Sequence, residues 1–218
     1  DEMLDIGFLP DIERILRQTP RDRQTTLFSA TLPSVIRGIV DRHMRSPIWI
    51  RIGNEIETAP DVHQVYYEVL EQDRIRACCR VLETVVDDGK VLVFRRTKSG
   101  VDNLTQALQR QGVAVKGIHG GLAQSERNAA MQSFRTGEIK VLIATNVAAR
   151  GLDIPYISHV VNYDMPQNLE EYVHRIGRTA RMGRDGTAIT FVTEWDLPML
   201  DLLQDGLAGE PKQETLPL

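Results

Sequence analysis

From residue 64 to residue 204 the chain alternates between short apolar runs and amphipathic segments of helical length, which leaves few folds open. The runs predict strands over 64–70, 90–95, 113–118, 139–145, 157–161 and 187–193. Between and after them the spacing of apolar residues predicts helices over 72–87, 99–111, 124–135, 168–176 and 195–204. The run Val141-Leu142-Ile143-Ala144 has no polar alternate, so both its faces must be covered, as in a central parallel strand. Parallel neighbours need a long crossover, and a helix supplies one. The expected fold class is therefore α/β, a parallel sheet flanked by helices.

The first 52 residues read differently. Apolar spacing predicts a helix over 9–18, stopped by Pro20, and a second over 33–44 with Pro33 at its start. Strands are expected at 25–28 and 48–52. Two strands and two helices leave sheet edges and apolar faces uncovered, so this stretch is expected to be the cut end of a larger domain. Residues 53–61, polar and without pattern, read as a linker. The expected organisation is a domain remnant over 1–52, the linker over 53–61, a complete domain over 62–205, and a frayed tail over 206–218.

Chemistry concentrates in two places. His174-Arg175-Ile176-Gly177-Arg178-Thr179-Ala180-Arg181 sets an arginine at every third position. On a helix running from Asn168 these would share one face, and guanidinium forks bind phosphate oxygens bidentately at any working pH. Tyr172, Val173 and Ile176 anchor the segment in a core, which weakens the alternative of a solvated basic helix. The second place is Thr145 to Asp153, a polar, glycine-bearing loop leaving the apolar strand. Parallel sheets bind ligands beyond their strand carboxyl ends, and Asp153 after Gly151 suits a ribose hydroxyl. Ser29-Ala30-Thr31 follows the 25–28 strand in the same manner.

In this order and spacing the chain resembles the DEAD-box RNA helicases of superfamily 2. Asp1-Glu2-Met3-Leu4-Asp5-Ile6-Gly7-Phe8 is similar to the end of motif II and its flank, and Ser29-Ala30-Thr31 to motif III. Val91-Leu92-Val93-Phe94 with Thr97 is similar to motif IV. His119-Gly120-Gly121-Leu122, Gln124 and Arg127 resemble the motif IVa region, Thr145 to Asp153 motif V, and His174 to Arg181 motif VI. The likeness covers nearly all of residues 1–205. Two departures are Ala180, where the family usually has Gly, and the basic pair Arg95-Arg96 after motif IV.

The resemblance implies a RecA-like helicase C-terminal domain of the P-loop NTPase type, with the end of a first RecA-like domain before it. It implies ATP-dependent RNA unwinding by domain closure. Arg178 and Arg181 would be arginine fingers on the γ-phosphate of ATP, with Gly151 and Asp153 beside the ribose. Thr97, Lys98, Gly120, Gln124, Arg127 and Thr145 would form half of an RNA track with little sequence specificity. Each also has a structural reading: Thr97 and Lys98 as a helix cap, Gly120-Gly121 as a turn, Gln124 and Arg127 as exposed helix-start residues. Asp1, Ser29, Thr31, His174 and Arg175 would couple the domains. No Gly-x-x-x-x-Gly-Lys-[Ser/Thr] loop occurs in the 218 residues, and motif II is represented only by its final Asp. ATP and Mg²⁺ are thus expected to be held mainly by a first domain in cis, and the chain alone to be inactive.

Composition agrees. With 26 basic and 30 acidic residues the net charge is −4, which argues against an unspecific electrostatic grip on nucleic acid but permits a local basic track. Lysine occurs only at 90, 98, 116, 140 and 212, so most of the basic residues are arginine, the residue for forked phosphate recognition. Cys78 and Cys79 are neighbours on an expected helix and point apart, and no metal-ligand spacing occurs. No apolar stretch reaches membrane length and no secretory signal opens the sequence, so a cytoplasmic location is expected. Two other functions fit parts of this pattern: a non-catalytic RNA-binding module of the same fold, and a superfamily 2 enzyme acting on DNA.

Overall fold

The structure is a computed structural model, which describes residues 8–29, 34–50, 62–84, 89–149, 157–180, 184–207 and 210–216. The chain divides into two compact units, Asp1–Glu55 and Ile56–Leu218.

In the first unit α1 (Leu9–Gln18) and α2 (Ser34–His43) form as the periodicity predicts. Pro10 in the first turn of α1 and Arg17 in its last suit the ends they occupy. Only Ile36, Ile39 and Val40 of α2 are buried among its described residues. The strand expected at 25–28 does not form, nor does any strand over residues 47–50, and residues 51–52 lie outside the described set. The reason is physical: a strand is stabilised by a neighbour's hydrogen bonds and by burial of one face, and here both are missing. Phe28 is 91 % exposed and Ile48 89 %.

The second unit carries the expected α/β fold. Its strands are β1 (Val62–Glu68), β2 (Val91–Arg95), β3 (Val115–Ile118), β4 (Val141–Thr145), β5 (His159–Asn162), β6 (Gly186–Val192) and β7 (Lys212–Gln213). They make one sheet in the order β3-β4-β2-β5-β6-β1-β7, every pair parallel. The helices are α3 (Arg74–Thr84, after a 3-10 turn at Glu71–Asp73), α4 (Lys98–Arg110), α5 (Gln124–Thr136), α6 (Asn146–Ala149), α7 (Leu169–Ile176) and α8 (Leu197–Gly206).

Side-chain alternation divides the core into layers. Val91, Val93, Val141 and Ile143 point to one face, where Cys78, Val81, Leu104 and Leu108 of α3 and α4 cover them. Leu92, Phe94, Leu142 and Ala144 point to the other, under Met131 and Phe134 of α5 and Ala148 of α6. Further along that face, Tyr172 and Ile176 of α7 pack with Leu200 and Leu203 of α8 over Tyr66 and Ala188. Burial pushes the Cys78 thiol up to about 12, so it behaves as a packing residue.

Residues 212–216, expected to be part of a frayed tail, dock against the sheet. The Glu214 amide donates to the Tyr66 carbonyl at 3.0 Å, β7 pairs with β1, and Leu216 packs on the core. Edge pairing covers the open side of β1, a gain that two residues without alternation do not announce.

Candidate nucleotide and nucleic-acid site

The sheet order decides which loops meet. Three of the expected RNA-track segments follow β2, β3 and β4, and those strands are neighbours with Arg95 opposite Thr145 and Ala144 opposite Ile118. Their carboxyl ends bring Thr97-Lys98, Gly120-Gly121 and Thr145 to one rim of the sheet. The chain jumps from β4 across β2 to β5, a switch point that opens a crevice at this rim.

Thr97 is the N-cap of α4, its hydroxyl accepting the Gly100 amide at 2.9 Å. Lys98 opens α4 and its stem passes beside Gly121, where a Cβ would stand 3.5 Å from Lys98 Cδ. His119 holds this turn: Nδ1 accepts the Gly121 amide at 3.0 Å, which leaves Nε2 to donate to Asp102 at 2.9 Å. Gly120 is instructive. A Cβ there would meet nothing within 4 Å and its φ is not positive, so neither packing nor backbone requires glycine.

Gln124 and Arg127 lie on the first turn of α5. Arg127 donates to Gln124 Oε1 at 3.1 Å, Gln124 donates to Asn128 at 2.8 Å, and the buried Arg127 Nε has no partner. Thr145 is placed differently from an exposed contact. It is buried, with its hydroxyl facing the Ala148 amide at 3.4 Å as the cap of α6.

The arginine-rich segment does not present one helical face. Helix α7 starts at the Asn168 cap, which accepts the Glu171 amide at 2.8 Å, and ends at Ile176. Gly177 is its C-cap, so Arg178 stands on the turn beyond the helix. Arg175, expected to take part in coupling between domains, points inward and is 2 % exposed. Its Nε donates to Asn146 at 2.8 Å, its NH1 to the Asp164 carbonyl at 2.6 Å and to Asn162 at 3.2 Å, and its NH2 to Glu171. Burial draws its pKa down to about 10 against the pull of Glu171, so it stays charged at neutral pH. His174 and Arg178, with Phe94, Asn146, Ala149, Glu171 and Arg175, line a small depression beside this network.

Ser29 lies on the surface of the first unit. Asp1, Thr31, Gly151, Asp153 and Arg181 lie outside the described residues. The hub residues Asn146, Asn162, Asp164 and Glu171 escaped the sequence reading. Nothing in the sequence singles out Glu171, and Asn162 falls just past the strand expected over 157–161. The one available signal is an Asn directly after the apolar pair Val160-Val161, a polar group that burial obliges to find partners.

Among the described residues no cluster of three His, Cys, Asp or Glu is arranged to hold a metal ion. No helix among them is long and apolar enough to cross a membrane.

Residues 73–183 match the helicase conserved C-terminal domain family. The chain is 47 % identical over 205 residues to the ATP-dependent RNA helicase CshA of Listeria monocytogenes serovar 1/2a, covering 94 % of this chain and 39 % of that protein. It is 46 % identical over 200 residues to the DEAD-box ATP-dependent RNA helicase CshA of Geobacillus kaustophilus, covering 92 % and 43 %. It therefore spans about two fifths of the length of these relatives. Among solved structures it is similar to S. cerevisiae Dbp5 bound to RNA and ADP BeF3, with a TM-score of 0.86 at 33 % identity over 96 % of this chain and 56 % of that one. It is also similar to the E. coli DEAD-box protein SrmB bound to regulator of ribonuclease activity A, with a TM-score of 0.67 at 36 % identity over 72 % and 92 %. The chain belongs to the helicase conserved C-terminal domain family and, within it, to the DEAD-box RNA helicases.

Proposed function

We propose that this chain is the finger-bearing half of an ATP-dependent RNA helicase, which clamps RNA and opens short duplexes when two domains close. The observation that carries this reading is the rim itself, where three neighbouring strands deliver Thr97-Lys98, Gly120-Gly121 and Thr145 together. A helix start, a lysine and a side-chain-free turn suit a phosphate backbone and its 2′-hydroxyls, which carry little sequence information.

Arg178 stands on the turn just past a helix anchored by Tyr172 and Ile176 and lines the depression beside the Arg175 network, which supports a role at a bound phosphate. Its role is that of a finger on the transferring phosphate, with Arg181 beside it and Gly151 and Asp153 at the ribose. ATP and Mg²⁺ would be cradled by a first RecA-like domain in cis, to which Asp1, Ser29, Thr31 and His174 are assigned as coupling residues. The chain's own contribution is charge stabilisation, worth ~10³–10⁵ in rate for an arginine finger. Closure brings this charge up only when RNA and ATP are both bound.

The test is RNA-stimulated ATP hydrolysis by this chain and by a version extended upstream through a phosphate-binding loop. Silence of the chain with activity on extension supports the reading, and Arg178→Ala in the extended protein is expected to lower turnover at least ~10³-fold. Activity of the chain alone, or turnover of Arg178→Ala within a few-fold of wild type, overturns it. Silence of both with retained RNA binding assigns a non-catalytic RNA-binding module.

A further inference from the structure

The turn between β2 and α4 is held from one side by a single carboxylate. Asp164 Oδ2 accepts the Arg96 backbone amide at 2.7 Å and pairs with Arg95 Nε at 3.2 Å, while Oδ1 pairs with Arg74 at 3.3 Å. The Arg95 and Arg74 guanidinium carbons lie 4.4 and 4.6 Å from the centroid of the adjoining Tyr163 ring. The Arg96 side chain ties the same turn to the Met165 carbonyl at 3.0 Å. Helix α4 leaves room for this only because residue 100 is glycine: a Cβ there would sit 2.7 Å from Arg95 NH2 and 2.9 Å from Thr97 Oγ1.

Asp164 faces two ways. Its side chain fixes the turn that presents Thr97 and Lys98, and its carbonyl accepts Arg175 at 2.6 Å, from the helix that leads to Arg178. Arg175 in turn grips Asn146, next to Thr145. One residue thereby holds the RNA-facing turn, the end of β4 and the base of the finger helix in register. A carboxylate hydrogen-bonded by a backbone amide and the Arg74 guanidinium, and ion-paired with Arg95, is a rigid junction, because charge-assisted bonds are the strong ones.

We propose that Asp164 is a positioning residue for RNA, setting the geometry of Thr97 and Lys98 through the Arg96 amide. This rests on the RNA-track reading of the preceding subsection. Asp164→Asn keeps the shape but weakens all three attachments.

The experiment measures ATP turnover against RNA concentration in the full-length helicase for wild type, Asp164→Asn, Asp164→Glu, Thr97→Ala and the Asp164→Asn/Thr97→Ala pair. Asp164→Asn is expected to raise the half-saturating RNA concentration about tenfold, the weight of one charge-assisted hydrogen bond, with kcat at saturating RNA held within ~2-fold. Asp164→Glu recovers part of the shift. The double variant is no worse than the poorer single, because both act through one turn. An unmoved half-saturation point, a fall in kcat alone, or effects of the two substitutions that multiply would overturn the proposal. Should Asp164→Asn lose its cooperative melt, Gly100→Ala moves the same turn from the opposite side and is expected to give the same shift; an unchanged RNA response there also overturns it. A wild type that RNA does not stimulate removes the helicase reading and this proposal together. A stimulated wild type with an unmoved Asp164→Asn removes this proposal alone.

Discussion

The two units of the chain obey the same local rules with opposite results. In the second, every expected strand finds parallel neighbours, and Leu92, Val93, Leu142 and Ile143 are sealed between helices. In the first, both helices form but no strand forms over 25–28 or 47–50, and Phe28, Ile48, Trp49 and Ile50 are exposed. A helix satisfies its backbone within one segment, so apolar periodicity and end residues suffice to draw it. A strand leaves every amide to a neighbour and is only as good as the sheet around it. The difference lies in the availability of partners, since both stretches carry comparable apolar runs.

Amide exchange across the whole chain gives the largest expected contrast. Protection at β2, β4 and β5 is expected to report the global unfolding free energy of the second unit, ~5–15 kcal/mol. Amides over 20–29 and 45–50 are expected to exchange near intrinsic rates. Comparable protection in both would mean that the first unit has a partner for its backbone after all.

Single ion pairs sharpen the contrast. Arg175→Ala strands Glu171, Asn146 and Asn162 in the interior and is expected to cost about 3–5 kcal/mol, read from denaturant midpoints. Arg42 pairs with Glu13 at 2.8 Å in the first unit with half its side chain in water, and Arg42→Ala is expected to cost under ~1 kcal/mol. An Arg175→Ala loss as small as that of Arg42→Ala would show that the buried network does not hold the finger helix.

Alkaline pH acts on one unit only. All five tyrosines, at 66, 67, 156, 163 and 172, belong to the second unit. Burial holds the Tyr67 and Tyr163 hydroxyls up at about 12, with Glu214 adding to the effect at Tyr67, and burial raises Cys78 to about 12 as well. A group whose pKa is higher folded than unfolded stabilises below its unfolded value, so these contributions are lost as pH climbs from about 9 to 12. Arg175, lowered to about 10, has the opposite sign and offsets part of the loss. The melting temperature is expected to fall through that window, and Tyr67→Phe to flatten the fall. A melting temperature constant to pH 12 would contradict the burial of these hydroxyls.

The same partner argument explains what the sequence made legible. The sheet's six main strands were readable because short apolar runs between helical segments are a local signal. The arginine face was not, because position 175 looks like 178 until the helix end at Gly177 and the burial of Asn162 are known. Two arginines of one spacing serve different ends: Arg175 completes a core, and Arg178 stands beyond the helix. Strand β7 was likewise invisible, since Lys212-Gln213 carries no alternation and owes its place to the open edge of β1.

The smallest effect is the one that tests the partner argument most directly. Phe28, almost wholly in water here, is expected to lose nothing measurable on substitution: Phe28→Ser in the 218-residue chain changes stability by within about 0.5 kcal/mol. On the proposal that a complete first RecA-like domain precedes this chain's second unit, the strand expected over 25–28 would find sheet partners there and bury Phe28. There the same substitution is expected to cost about 3–5 kcal/mol, as large-to-small changes in a core do. Equal, small effects in both proteins would mean that this segment stays outside a sheet even when the first domain is whole. Equal, large effects would mean that Phe28 is already covered in the shorter chain. Only the split outcome fits a segment whose strand character is written in its residues and realised by its neighbours.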